Sequence, residues 1–270
     1  MPTPSTPPLS TLLLDAPVGR HFAQLHSDAQ NLTDSVVLFV ETGLHRGNGV
    51  VVVASRDTMD RYLDRLTAGG ADVEAARRSG QLVLRNAEDS LARIMVGDMP
   101  DWSNFRRLVG SMLEEVQAFG RTTTRAYGEM VNVLWRGGQP LAAIRLEEYW
   151  NELARLYPFS LFCGYMVDSH EHETYRAPLG EIGRTHTDVL ASQDDERFRE
   201  ALDHASRDIY GLPLTQLVTQ SGAETDAGER RLPEAQRTML WIMRHLPETR
   251  GEVLRRVRRY YQNGRGASAP

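Results

Sequence analysis

The chain has 270 residues, of which 41% are hydrophobic and 25% charged, and its formal net charge is −5. These values suit one large domain with a smaller appendage and give no general reason to expect a nucleic-acid partner. All 31 basic side chains are arginine, which excludes a Gly-Lys-Ser/Thr phosphate loop, a Schiff-base lysine and a lysine general base.

Residues 1–19 are rich in Pro, Ser and Thr and read as a mobile tail, in which Leu12-Leu-Leu14 has the character to dock on a core. The ordered chain is expected to begin at Arg20-His21. His21–Leu25 reads as a strand, and His26-Ser27-Asp28 supplies turn and N-cap chemistry. Ala29–His45 is a helix by its period, with Leu32, Val36, Phe39, Val40 and Leu44 on one face. After the turn Gly47-Asn-Gly49, the run Val50–Ala54 reads as a strand covered on both faces. Ser55-Arg56-Asp57 caps a helix that runs through Leu66. A short helix near Val73–Ser79 and a strand Gln81–Arg85 follow. Asn104–Gly120 is a helix and Thr122–Tyr127 a strand. Glu129–Arg136 and Ala142–Leu156 are helices, and Phe159–Tyr165 is another buried strand.

Beyond Asp168 a loop or hairpin is expected to run to Pro178. Helices then dominate, at 183–191, 195–208, 212–220, 233–246 and 248–262, with a polar linker at 221–231. The fold class is therefore α/β, a mainly parallel twisted sheet with helices on both faces, followed by a C-terminal helical segment. The expected division is a tail at 1–19, an α/β domain at 20–192 and a helical region at 193–270. No stretch has the ~20 apolar residues of a membrane span, and the start lacks a signal peptide's pattern. The expected location is the cytoplasm.

In parallel sheets ligands bind outside the carboxyl ends of the strands. That rule selects His21, His26 and Ser27 around the first strand, Arg56 after the second, and Arg125, Tyr127 and Glu129 at Thr122–Tyr127. Arg56 is able to clamp a carboxylate or phosphate, although a surface ion pair is the simpler reading. Glu129 is the strongest candidate, weighed against a plain charge at the start of the next helix. Arg125 and Tyr127, two apart on a strand, share one sheet face. Glu147 and Asn151 share one helix face. The lone Cys163 lies in an apolar run and reads as a core residue without catalytic character. His170-Glu-His-Glu173 has alternating ligand types but no third ligand, so no metal site is assigned, and no cofactor is expected.

Residues 232–270 hold eight Arg against three Glu and are net +5, leaving −10 for the remainder. The helix at 248–262 keeps Val253, Leu254, Val257, Tyr260 and Tyr261 on one stripe, with Arg255, Arg256, Arg258 and Arg259 mostly off it. The simpler reading is a helical hairpin packed on the domain or on a second copy in a homodimer. Phosphate contact by the arginines is the alternative.

Four segments, taken together, resemble the MEDS family, the DcmR-type sensory domain of methanogens and methylotrophs. They are His21-Phe-Ala-Gln24 with Glu41-Thr-Gly-Leu44 and Gly47-Asn-Gly-Val-Val-Val-Val53; Arg125-Ala-Tyr-Gly-Glu-Met130; Leu146-Glu147 with Asn151-Glu-Leu153; and Phe162-Cys-Gly-Tyr165, with His186 and Val189 beyond. The resemblance covers residues 20–192. It implies a relative of the KaiC/RecA fold without its Walker A loop. It also implies a sensor of a small organic ligand, coupled to a signalling protein such as a histidine kinase or a transcriptional regulator. His26 stands where the family pattern leads one to expect an aromatic residue.

The expectation is thus a non-catalytic sensor. A degenerate nucleotide-binding regulator and a DNA-contacting regulator are the alternatives. An enzyme built on Glu129 and His26 lacks any nucleophile, base and orienter constellation.

Overall fold

The computed structural model describes residues 9–27, 29–118, 120–121, 123–169, 171–175, 178–191, 193–220 and 226–263. Six strands form the main sheet in the order β3-β2-β6-β7-β1-β8. They are β1 (His21–His26), β2 (Gly49–Ala54), β3 (Leu82–Asn86), β6 (Thr124–Gly128), β7 (Phe159–Met166) and β8 (Asp188–Leu190), while β4 (Met95–Val96) and β5 (Met99–Pro100) make a separate small antiparallel pair. β2 runs parallel to both β3 and β6, and β6 runs parallel to β7. The expected α/β class with a mainly parallel sheet is what the chain adopts.

The chain divides into two compact units. The first comprises the residues up to Gln24 and those from Asp28 to Met166; the second comprises Leu25–Ser27 and everything from Val167.

In the first unit β2 is buried along its whole length, as a β-branched run covered on both faces should be. One face carries α2 (Ala29–His45) and α3 (Arg56–Ala68); the other carries α5 (Ala87–Ile94), α6 (Trp102–Gln117) and α8 (Pro140–Leu153). Alternation along the strands sorts the core accordingly. Phe22, Phe39 and Phe162 pack together with ring centroids 5.0–5.8 Å apart, and Trp150 meets Phe105 and Phe159 on the opposite side. α4 (Val73–Arg78) starts at the Asp72 cap, and α7 (Met130–Arg136) follows β6.

Two local corrections fall here. Within the segment expected to be a tail, Leu9–Leu14 forms α1, with Leu12 and Leu13 buried; residues 1–8 lie outside the described set. The helix α5 is additional to the expected elements. Its signals were present, since Asn86 accepts from the Asp89 N–H at 2.7 Å and Glu88 and Asp89 occupy its first turn.

The second unit holds a 3-10 turn (His172–Tyr175), α9 (Leu179–Thr185), β8, α10 (Gln193–Tyr210), α11 (Leu214–Gln220), a 3-10 turn (Glu229–Arg231), α12 (Glu234–His245) and α13 (Arg250–Asn263). Phe198, Leu202, Met239, Ile242, Val253 and Val257 are central to its core. The helix expected over 183–191 instead stops at Thr185 and gives way to β8. Thr185, Thr187 and Val189 are β-branched, which favours the extended chain. Of the expected linker, residues 221–225 lie outside the described set, and Gly228 and Glu229 in the remainder are buried. A Cβ on Gly183 would fall 2.0 Å from the Gly228 carbonyl oxygen, and buried Glu229 pairs with Arg244.

The arginines of α13 are largely matched. Arg256 reaches Asp208 at 3.1 Å, Arg258 reaches Glu171 at 2.5 Å, and Arg255 pairs with Glu252. His172 and Glu173 belong to the 3-10 turn, so the alternate-facing geometry expected of an extended His170–Glu173 is absent there; His170 is outside the described residues. Among the described residues, no helix is long and apolar enough to cross a membrane.

Candidate functional site

The chain leaves β2 for β3 on one side and leaves β6 for β7 on the other. Adjacent strands that diverge in this way form a switch point, the usual place for a ligand crevice. Glu129 sits at that point, directly after β6. Its carboxylate turns away from α7 and toward the start of α3. It accepts the Ser55 N–H at 2.8 Å and the Thr58 hydroxyl at 3.2 Å, with the Ser55 hydroxyl also 3.2 Å away. Ser55 is the N-cap of α3 and its own side chain makes no cap bond. In a capping box, a carboxylate at the third helical position reaches back to the cap N–H. Here Thr58 holds that position, and the carboxylate comes from another strand. Glu129 is only 6% exposed, so a charge-assisted bond of this kind contributes about 1.5–3 kcal/mol.

Beside this clamp lies open space. A cavity of about 330 Å³ is lined by Ser55, Arg56, Asp57, Asn86, Glu88 and Asp89. A second, of about 170 Å³, is lined by Ala54, Arg56, Met59, Asp60, Leu84, Arg85 and Asn86. Arg56 and Asn86 line both. One side is therefore polar and acidic, and the other offers Ala54, Met59 and Leu84. Arg85 is drawn away by Glu115 at 2.6 Å. Arg56 is exposed and makes no ion pair with any described residue.

The other expected residues of the first unit lie elsewhere. Arg125 does not face a crevice. Its guanidinium donates to Leu13 O at 2.7 Å, Leu14 O at 2.8 Å and Asn48 Oδ1 at 3.1 Å, over the Phe39 ring. It thereby caps the carbonyl end of α1, where a cation is favoured. Burial pulls it down to about 10, still charged at neutral pH. Tyr127 is fully buried, its hydroxyl 3.1 Å from that of Tyr62. Burial pushes both phenols up, so they remain neutral hydrogen-bonding groups.

His21 begins β1 and so lies at the amino end of the strand, the wrong end for a carboxyl-end crevice. It joins a buried polar group whose members lie far apart in the sequence. His21 Nδ1 lies 2.9 Å from Asn151 Oδ1, and Nε2 lies 3.1 Å from Glu147 Oε2 and 3.5 Å from Cys163 Sγ. The Tyr165 hydroxyl donates to Glu147 Oε1 at 2.6 Å. The i, i+4 spacing of Glu147 and Asn151 was a legible signal; the 130 residues between His21 and Asn151 hid their partner. Burial, then Glu147, push the Cys163 thiol and the Tyr165 phenol well up. A thiol so placed is no nucleophile at neutral pH.

His26 and Ser27 belong to the second unit. There Leu25, His26, Ser27, Ser169, Asp194, Asp195 and Tyr261 enclose a space of about 10 Å³, at the lower limit for a single water. The Ser27 hydroxyl donates to Asp194 at 3.1 Å, as does Tyr261 at 3.2 Å. The carboxyl end of β1 is thus filled by side chains of α10 and α13. Asp28 is outside the described residues.

These features define a mainly parallel α/β domain with a clamped switch point and an adjoining open cavity. A family profile described as MEDS, the methanogen/methylotroph DcmR sensory domain, matches residues 20–187. The chain belongs to this family of sensory domains. No curated protein matches it.

Proposed function

We propose that the domain is a non-catalytic sensor that binds a small organic molecule over the carboxyl ends of β2 and β3. Arg56 carries this reading: a guanidinium without an ion pair among the described residues, shared by two adjoining cavities, at the first turn of a helix held by Glu129. The lining favours a ligand with an apolar part for Ala54, Met59 and Leu84 and a polar head for Arg56 and Asn86. Binding signals only if it favours one arrangement of the chain over another. The turn Ser55–Thr58 is the natural element to move, because the cavity and the clamp both act on it. The output goes to a protein partner, such as a histidine kinase or a transcriptional regulator, with the C-terminal helices as the expected contact.

The test is thermal unfolding against a panel of small organic acids, alcohols, amines and nucleotides. A saturable rise in midpoint with one chemical class, lost in Arg56→Ala, supports the sensor. A rise with nucleotides alone transfers the reading to a nucleotide-binding regulator. No rise with any compound removes the small-molecule role.

A further inference from the structure

The hydrogen-bonded group around His21 also has the donor types and spacing of a metal-ligand set. His21 Nε2, Glu147 Oε2 and Cys163 Sγ form a triangle with sides of 3.1, 3.5 and 3.7 Å. A tetrahedral zinc-class ion with N, O and S ligands at their usual lengths sets those atoms about 3.3–3.6 Å apart. The in-plane point equidistant from the three lies about 2.0 Å from each, so an ion at usual metal–ligand bond lengths sits just off that plane, as a tetrahedral site requires. Donor types agree with the spacing. Imidazole, carboxylate and thiolate together suit a borderline divalent ion better than magnesium or calcium.

The surroundings orient the donors. Asn151 Oδ1 accepts from Nδ1–H of His21, which turns the Nε2 lone pair toward the triangle. Tyr165 holds Glu147 Oε1 at 2.6 Å, leaving Oε2 as the inward atom. His21, Glu147, Cys163 and Tyr165 are all nearly or fully buried. Two facing acceptors, Nε2 and Oε2, need a cation between them: a proton or a metal. A carboxylate and a thiolate carry two negative charges, which a divalent ion neutralises in a place where isolated charge is costly.

We infer that His21, Glu147 and Cys163 bind a zinc-class divalent metal ion inside the first unit, with the fourth position filled from outside this trio. Binding takes the thiol as thiolate and releases its proton to solvent. The site is independent of the cavity at Arg56, so the two readings stand or fall separately.

The single cysteine makes the test direct. The full chain is expressed in zinc- or cobalt-supplemented medium, dialysed and assayed for metal. One tightly held equivalent per chain is expected. The cobalt form should show thiolate-to-metal charge-transfer absorption in the near ultraviolet, which only Cys163 is able to supply. Cys163→Ser should abolish that band, and His21→Gln should lower the metal content at least tenfold, with far-UV circular dichroism retained. If either variant fails to fold, the band in the unaltered protein still decides. Absence of stoichiometric metal and of the band would overturn the inference. So would metal held equally by unaltered protein and a folded Cys163→Ser, since the ion would then sit elsewhere.

Discussion

Two regions at the carboxyl ends of strands, one in each unit, have opposite fates. The carboxyl ends of β2 and β3 open on a cavity of about 330 Å³ lined in part by Arg56, which has no ion pair among the described residues. The carboxyl end of β1 retains about 10 Å³, because Asp194 and Tyr261 bond to each other and Asp194 holds Ser27. Sheet topology says where a ligand site is able to form. Which of these ends stays open is decided by the side chains that arrive there from distant parts of the sequence.

The closed end gives the largest effect. Tyr261 is 5% exposed and lies beneath Arg197 at 4.1 Å. Tyr261→Ala should destabilise the chain by about 3–5 kcal/mol, as for other large aromatic truncations, with urea unfolding as the measure. A loss below about 1 kcal/mol would mean that this end is not packed as described. At the open end, Glu129→Ala should cost about 2 kcal/mol, because Ser55 and Thr58 lose a charged acceptor. The Ser55 amide should also exchange faster, and an unchanged exchange rate would dismiss the clamp. Tyr62→Phe removes one partner of the buried phenol pair and should cost about 1 kcal/mol. Arg56→Ala comes last, within about 0.5 kcal/mol of the parent, as for an exposed residue without an ion pair among the described residues. A large loss there would show that Arg56 is structural and weaken its reading as a ligand contact.

Much of the frame is legible in the sequence. The 3.6-residue period gives α2 its bounds at Ala29 and His45, and the apolar runs of β2 and β7 mark strands covered on both faces. The lack of lysine removes phosphate-loop chemistry from consideration. Pairing was not legible. Glu129 stands 74 residues from the Ser55 amide it holds, and nothing local in Gly128-Glu129-Met130 points to α3 instead of α7. Arg125 was drawn to a crevice by its place beside Tyr127, whereas its partners are carbonyls of α1, 111 and 112 residues away. His21 was placed by proximity to a strand end without deciding which end. β8 was read as helix because three residues carry no usable period.

Backbone-amide NMR of the full chain, titrated with the compound class that raises the unfolding midpoint, tests the central claim most directly. The account predicts saturable shifts concentrated at Ser55–Met59 and Asn86–Asp89, absent in Arg56→Ala. Shifts concentrated instead at His26, Ser27, Asp194 and Asp195 would contradict it and make the closed end the binding site.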